Sequence, residues 1–536
     1  MNNSMIFNPL EEFEKKFSSL HAENTAKRFE ELVKQSNVDE NKNKETVKQY
    51  HFYKENIKKL KKKLNLFRFL RVIMIITIIL IVVVVLKITP KIKALRSEIE
   101  QADNKADELY AEALSQMQPL NDLFSSKEAL NIIEQTIPLI DFADHFTAKQ
   151  EIDMKTNYDF GADDSNEYST LDVLAGNYNG NPFIFENKIK HTMGTETYHG
   201  YRTISWTETY INSKGRLSTR TRTQTLHATV NKPKPFYNGQ IVLSYCAQGG
   251  PELCFSRDAT HLHEKNERQI ERYVKRGEKR LKKKTDDALK ENSNFTSMSN
   301  SDFEVLFDAL DRTNEVQFRT LFTPLAQTNM VDLLLSDTGY GDDFNFIKRN
   351  RTNAIISKHS QGRNINLYGN EICSFDFEEI KRNFIDKNAK FFKDVYFDLA
   401  PILAIPIYQE RPVHSLDPLP DYTKLYAEKQ CESLANVVDY GYVAHPQTKT
   451  QAIIKSSFVN SQKGVDKTRI SAYSYDIEKR VDVVSVLGGD GRFHNVNVPW
   501  DEYIPLEYHN DFYVTENSNA DGKVLANKNG LFMFCK

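Results

Sequence analysis

A chain of 536 residues is too long for one hydrophobic core, and at ~150 residues per domain it predicts two or three folded units. Its 71 lysines and arginines against 73 aspartates and glutamates exclude a global pull toward nucleic acid or any other polyanion, so electrostatic partners must come from local patches. Five cysteines, Cys246, Cys254, Cys373, Cys431 and Cys535, lack any Cys-x-x-Cys spacing, which argues against a disulfide framework or a zinc ribbon.

Residues 1–65 predict a cytoplasmic, helical, basic tail. Asn8 is an N-cap with Pro9 at the first helical position, and Phe13, Phe17 and Leu20 recur at helical spacing. Residues 66–89 predict a transmembrane helix. Val72 to Leu86, VIMIITIILIVVVVL, is fifteen residues without a charge, and its flanks extend it to about 20, enough for a roughly 30 Å hydrocarbon layer. A buried core helix or a secretory signal fits less well, because 65 mostly polar residues precede the run and Pro90 follows it. Lys54, Lys58, Lys59, Lys61, Lys62, Lys63, Arg68 and Arg71 before the run outnumber Lys87, Lys91, Lys93, Arg96 and Lys105 after it. Cytoplasmic flanks carry the excess of positive charge, so a single-pass protein of the cell membrane is expected, with a cytoplasmic N-terminus and an extracytoplasmic C-terminal region.

Residues 90–150 predict a helical juxtamembrane stalk. Ile92, Leu95, Ile99, Ala102, Ala106, Leu109, Ala113, Gln116, Leu120 and Leu123 follow one another at spacings of three and four, a heptad seam that suits either a homo-oligomeric coiled coil or packing within the chain. Pro119 should bend or end this helix.

Residues 151–412 predict an α+β region with a β-rich first half. NPFIFENKIK, YRTISWTETYI and LSTRTRTQTLHATV alternate β-branched and aromatic residues and are separated by turn signals, as in an antiparallel sheet. A basic helix is expected at 264–291. Its Arg272, Lys275, Arg276, Lys279, Arg280, Lys282, Lys283 and Lys284 form a candidate anion-binding patch, although a solvated helix face explains the same charges. Two further helices follow at 301–336, then strands FNFIKR, NAIISKH and DVYFDLAPILAIPIY. Residues 413–536 predict an α+β C-terminal domain, with a helix at DYTKLYAEKQCESLANVV and strands QAIIKSSFV, RISAYSYDI, RVDVVSVLG, FHNVNV, DFYVTE and GLFMFC. The fold class is therefore α+β: one transmembrane helix, a helical stalk, and mostly antiparallel sheet domains with segregated helices.

Several strings imitate chemistry. Tyr340-Gly341-Asp342-Asp343 matches the motif with which polymerases hold two metal ions, but that use requires strands on both sides, and the upstream AQTNMVDLLLS has helical spacing with Gly339 as its C-cap. Asp342 and Asp343 are read as turn residues that satisfy local backbone donors. Asn517, Asn519, Asp521, Gly522 and Val524 begin like a calcium loop, yet Lys528 stands where a bidentate glutamate is needed. Cys246, Cys254, His261 and His263 could be zinc ligands, Cys246 and Cys254 could pair, or both cysteines could be unpaired; the spacings favour the last. GGDGRFH, Gly488 to His494, reads as a turn between strands. Gly-x-Ser-x-Gly, His-Glu-x-x-His, Walker A and Gly-x-Gly-x-x-Gly motifs are absent, so no catalytic residue, cofactor or metal is implied.

LFTPLAQTNMVDLLL, YGDDFNFIK, CESLANVV, AYSYDIEKRVDVVSVLGGDGRFHNVNVPWDEYIPL and LAGNYNGNPFIFENKIK resemble segments of a family of membrane-anchored hypothetical proteins from low-GC Gram-positive bacteria and mycoplasmas, over roughly residues 65–510. The family has no agreed activity, so the resemblance implies no residue roles, only that Tyr340 to Asp343 form a turn particular to the fold. Similar families include proteins with two spans and a cytoplasmic domain. The expected partners are the lipid bilayer and a protein or envelope component, not nucleic acid. The expected function is binding or scaffolding at the cell envelope, with a membrane-tethered hydrolase of dispersed active site as the alternative.

Overall fold

Long helices and two antiparallel sheets make this an α+β protein. The computed structural model describes residues 5–76, 87–161, 166–291, 295–413, 423–518, 522–528 and 530–535, with side chains omitted at 74–76. The chain divides into two units, each assembled from separate stretches.

The first unit comprises Asn8–Ile140 and Asn366–Phe397 and is helical. Its first helix, Pro9–Glu12, starts as expected: the Asn8 side chain accepts the Glu11 N–H at 3.1 Å, and Pro9 needs no N–H at the first position. A π-helical turn, Phe13–Phe17, leads into helix Ser18–Ser36. Phe13 and Phe17 are buried against Tyr396 of helix Phe377–Leu403, whose hydroxyl donates to Pro9 O at 2.7 Å. Residues 394–408, expected as a strand, lie in this helix and a following 3₁₀ turn, Pro406–Gln409. Their aromatic and β-branched composition suggested a strand. Ile380, Phe384, Phe391, Val395, Tyr396 and Leu399 recur at helical intervals, and burying them on one stripe wins.

Helices Glu40–Ile76 and Thr89–Asn121 form an antiparallel pair. Lys54 reaches Asp107 at 3.6 Å, Lys61 reaches Asp103 at 3.5 Å, and the Lys91 ammonium sits 5.7 Å from the Phe67 ring centre. Partner numbers fall on one arm as they rise on the other, so the chain that leaves along the first arm comes back along the second. Ile57 and Leu64 pack with Ile88, Ile92, Ile99, Ala102 and Ala106, and the small alanines let the backbones approach. The heptad seam is thus filled by the chain's own helix. Tail 1–65 and the greater part of stalk 90–150 share one unit and one apolar cluster. Most of the apolar run, 77–86, lies outside the described residues, and among the described residues no helix is long and apolar enough to cross a membrane.

The second unit comprises Met5–Phe7, Asp141–Ile365 and Asp398–Lys536, so the boundary expected at 412 falls inside it. Its larger sheet contains β1 (Ile140–Phe142), β2 (Tyr168–Tyr178), β3 (Asn181–Ile211), β4 (Leu217–Cys246), β5 (Cys254–Arg257), β6 (Phe344–Arg349) and β7 (Thr352–Ser357), in the order β1-β2-β3-β4-β7-β6-β5. The smaller contains β8 (Ile453–Gln462), β9 (Val465–Leu487), β10 (Phe493–Thr515), β11 (Lys523–Lys528) and β12 (Leu531–Cys535), in the order β11-β12-β10-β9-β8. Segments read as separate strands merge into long hairpins. FHNVNV and DFYVTE belong to one β10, which tolerates Pro499 and Pro505 because β12 pairs only with its last residues, leaving one side free of ladder bonds. The β3–β4 and β9–β10 ribbons cross and bury Ile204, Leu226 and Ala228 against Val496 and Val498. At the crossing stands Gly200, where a Cβ would collide with Asn497 O.

Candidate functional site

The Tyr340–Asp343 string is a turn that leads into β6 alone, after helix Pro324–Leu335. Gly339 does not cap that helix. It lies in the following turn at φ +84°, and Ser336 is the C-cap. Both aspartates are buried and bound by protein groups. Asp342 pairs with buried Arg257 and accepts from Thr260 N at 3.0 Å, Thr260 Oγ1 at 2.5 Å and Leu262 N at 3.1 Å, while its carbonyl accepts the His261 N–H at 3.1 Å. The donors expected to be local are remote in sequence: this carboxylate fastens the 257–262 segment to the turn.

Asp343 Oδ2 accepts from His359 Nδ1 at 2.7 Å and from the His359 backbone N–H at 3.0 Å. His359 Nε2 lies 3.3 Å from Asp398, which also binds Arg363 at 2.6 Å and Ser360 Oγ at 2.7 Å. Burial disfavours an imidazolium, but Asp343 and Asp398 outweigh it and raise His359 to about 10. Burial would likewise raise Asp398, yet its hydrogen bond from His359 and the Arg363 charge hold it well below the usual carboxylate range. The Tyr340 ring meets the imidazole edge-on at 4.4 Å. Both imidazole nitrogens are thus turned to carboxylates, which fixes the ring between two elements and favours its protonated form.

A cavity of about 210 Å³ opens in the same unit between the larger sheet and helix Glu428–Ala435. Val242, Ile347, Ala354 and Ile356 give it an apolar wall, and Lys188, Arg349, Lys429 and Lys455 give it a cationic one. Glu186 lies beneath them, in an ion pair with Lys188 at 3.0 Å and accepting from Lys429 at 3.1 Å and Thr170 Oγ1 at 2.8 Å. Burial alone would raise the Glu186 carboxyl; the two ammonium groups outweigh that and hold it at about 2. Glu432 pairs with Lys455 at 3.0 Å, but there burial prevails and the carboxyl is raised. Lys348, next to both Ile347 and Arg349 on β6, points to the other face. Burial lowers it to about 7, and it donates to Gly249 O and Asn350 O. Sequence reasoning nominated none of these groups. The available signal was a lone acid ending the apolar run Phe183-Ile184-Phe185-Glu186, a charge where the alternation demands burial.

The basic patch falls on helix Glu267–Lys290. Arg272, Lys275, Arg276, Lys279, Lys282 and Lys283 are exposed and, at 100° per residue, share an arc of about 120° opposite buried Gly277 and Leu281. Arg280 pairs with Asp308 at 3.2 Å, and half-buried Lys284 donates to Leu310 O, which takes these two out of the patch.

Cys246 and Cys254 are both free. Cys246 faces Thr352, Thr352 faces Arg349, and Arg349 faces Cys254, so three strand spacings, about 14 Å, separate the cysteines and neither a disulfide nor a shared zinc ion can join them. His261 and His263 converge instead with Glu264, whose Oε1 lies 3.9 Å from His261 Nδ1 and 4.0 Å from His263 Nε2. Asn519 and Asp521 of the calcium-like loop lie outside the described residues, and Lys528 is engaged by Asp172 at 2.9 Å and Ser433 at 3.0 Å. Comparison with protein-family models, with curated proteins and with solved structures found no match.

Proposed function

We propose that this protein is a membrane-anchored binding module, attached through the apolar run in the sequence between its two paired helices and lying on the cytoplasmic face. The observation that carries the reading is the antiparallel packing of Glu40–Ile76 on Thr89–Asn121 with the apolar run between them. An apolar run between two returning arms enters a bilayer from one side, unlike a single-pass span. Lysines and arginines of both arms, Lys61, Arg68, Arg71, Lys87, Lys91 and Arg96 among them, then gather at one surface, where anionic cytoplasmic head groups attract them. After Pro90 no apolar run reaches spanning length, so the remaining chain stays on the side of the tail.

Binding rather than hydrolysis is favoured by the state of the ionisable groups. The carboxylate–histidine cluster around His359 is buried and locked, and the described lysines of the cavity pair with buried glutamates. Its excess of cations suits a small anionic ligand.

The test is protease accessibility in intact cells of epitope tags at both ends of the full chain, with a cytoplasmic control. Both tags should be protected until lysis, and the protein should sediment with membranes through an alkaline carbonate wash. Digestion of the C-terminal tag with the N-terminal tag protected would restore the single-pass topology and reject this reading.

A further inference from the structure

We infer that His261, His263 and Glu264 form a binding site for a divalent transition-metal ion of the zinc class. Two imidazoles and a carboxylate are a ligand set that zinc accepts, with further positions left for water or a substrate. One ligand atom from each residue lies within 4.8 Å of those of the other two. Ligands around a tetrahedral zinc ion stand about 3.3 Å apart at Zn–N and Zn–O lengths of about 2.0–2.1 Å. The observed 3.9 Å and 4.0 Å separations shorten by well under an ångström when Glu264, 59% exposed, rotates its side chain, and the two histidines, within 4.8 Å of one another, close on the ion by turning their rings.

Two features support the site. His261 Nδ1, the atom turned to Glu264, is sealed from solvent without a hydrogen-bond partner, and nine-tenths buried His263 turns its Nε2 to the same carboxylate. An orphaned buried nitrogen is unfavourable, and a metal–ligand bond would relieve that of His261, whose Nδ1 faces Glu264. The backbone is also held in place. His261 takes a left-handed conformation at φ 52°, fixed by its N–H to Asp342 O, while the Asp342 carboxylate grips Thr260 and Leu262 on either side. Gly341 is there for space: a Cβ would lie 2.7 Å from the Cβ of His263. The string that imitates a two-metal site has Asp342 engaged by Arg257, Thr260 and Leu262, and so positions the loop that carries the site. The competing cation is Lys358, whose Nζ lies 3.9 Å from Glu264; its side chain is 64% exposed and withdraws into water when a metal arrives.

The experiment is calorimetric titration of the chelator-treated full chain in detergent with Zn²⁺, repeated with Co²⁺ for its visible spectrum. One ion should bind per chain, with a Co²⁺ spectrum that lacks thiolate charge-transfer bands. Glu264→Gln and the pair His261→Asn with His263→Asn should each weaken binding by about 10-fold to 100-fold. Asparagine is chosen at 261 because it tolerates the left-handed backbone, and Glu264→Gln alters an exposed side chain, so folding is preserved. Absence of stoichiometric binding, a thiolate signature, or undiminished affinity in the variants would overturn the site.

Discussion

Asp343 Oδ2 and His359 Nδ1 lie 2.7 Å apart in a buried cluster that Asp398 and Arg363 complete. The imidazolium has a folded-state pKa of about 10 against an ordinary 6.5, so its contribution is complete below pH 6.5 and is lost as pH rises toward 10. Urea unfolding at a series of pH values should show stability falling over that window. His359→Gln should be less stable by roughly 3 kcal/mol at pH 6, because it removes the cation shared by two buried carboxylates, and the alkaline slope should flatten.

Glu186 has the opposite sign. Its carboxyl is held at about 2 against an ordinary 4.5, so its contribution is present above pH 4.5 and is lost as pH falls toward 2. Glu186→Gln leaves Lys188 and Lys429 without their carboxylate and should cost roughly 3 kcal/mol at neutral pH. Adding Lys429→Met should recover part of that loss, a coupling that a double-mutant cycle of thermal or urea unfolding measures.

Asp342→Asn removes the ion pair with Arg257 and weakens the grip on Thr260 and Leu262. The expected result is local opening. Amide hydrogen exchange should quicken at residues 260–263 by more than tenfold, with little change in the β9–β10 ribbon; uniform acceleration everywhere would mean that the carboxylate supports the whole unit.

Gly277 sits where helix Glu267–Lys290 meets Val305, and a Cβ would run into the valine side chain. Glycine to alanine inside an exposed helix ordinarily stabilises by about 1 kcal/mol. Here Gly277→Ala should destabilise by about 1–3 kcal/mol, and Val305→Ala added to it should restore much of the loss. Thermal denaturation of the single and double variants decides the sign.

Local patterning was sufficient for much of this protein. Asn8-Pro9 started its helix, the alternation in NPFIFENKIK and LSTRTRTQTLHATV made strands, Gly488 to His494 turned a hairpin, and charge spacing put Arg272 to Lys283 on one helical arc. These outcomes depend on neighbours a few residues away. Residues 394–408 show the limit, since a composition suited to a strand was overruled by helical spacing whose value lies in a stripe buried against Phe13 and Phe17.

Only the tertiary structure decided which distant groups meet. A seam of isoleucines and alanines at 92–106 fits a second chain or the same one, and the return of helix Glu40–Ile76 settled that the chain covers it itself. Asp342 and Asp343 could be recognised as turn residues, but their partners lie about eighty residues upstream and on another helix, at Arg257 and, through His359, Asp398. His261 and His263 looked like companions of Cys246 and Cys254 by proximity along the chain, yet strand pairing sends the cysteines apart and leaves the histidines with Glu264. A buried charge is stable only beside its counter-charge, and which strand or helix brings that counter-charge is a property of the fold that residue order alone does not reveal.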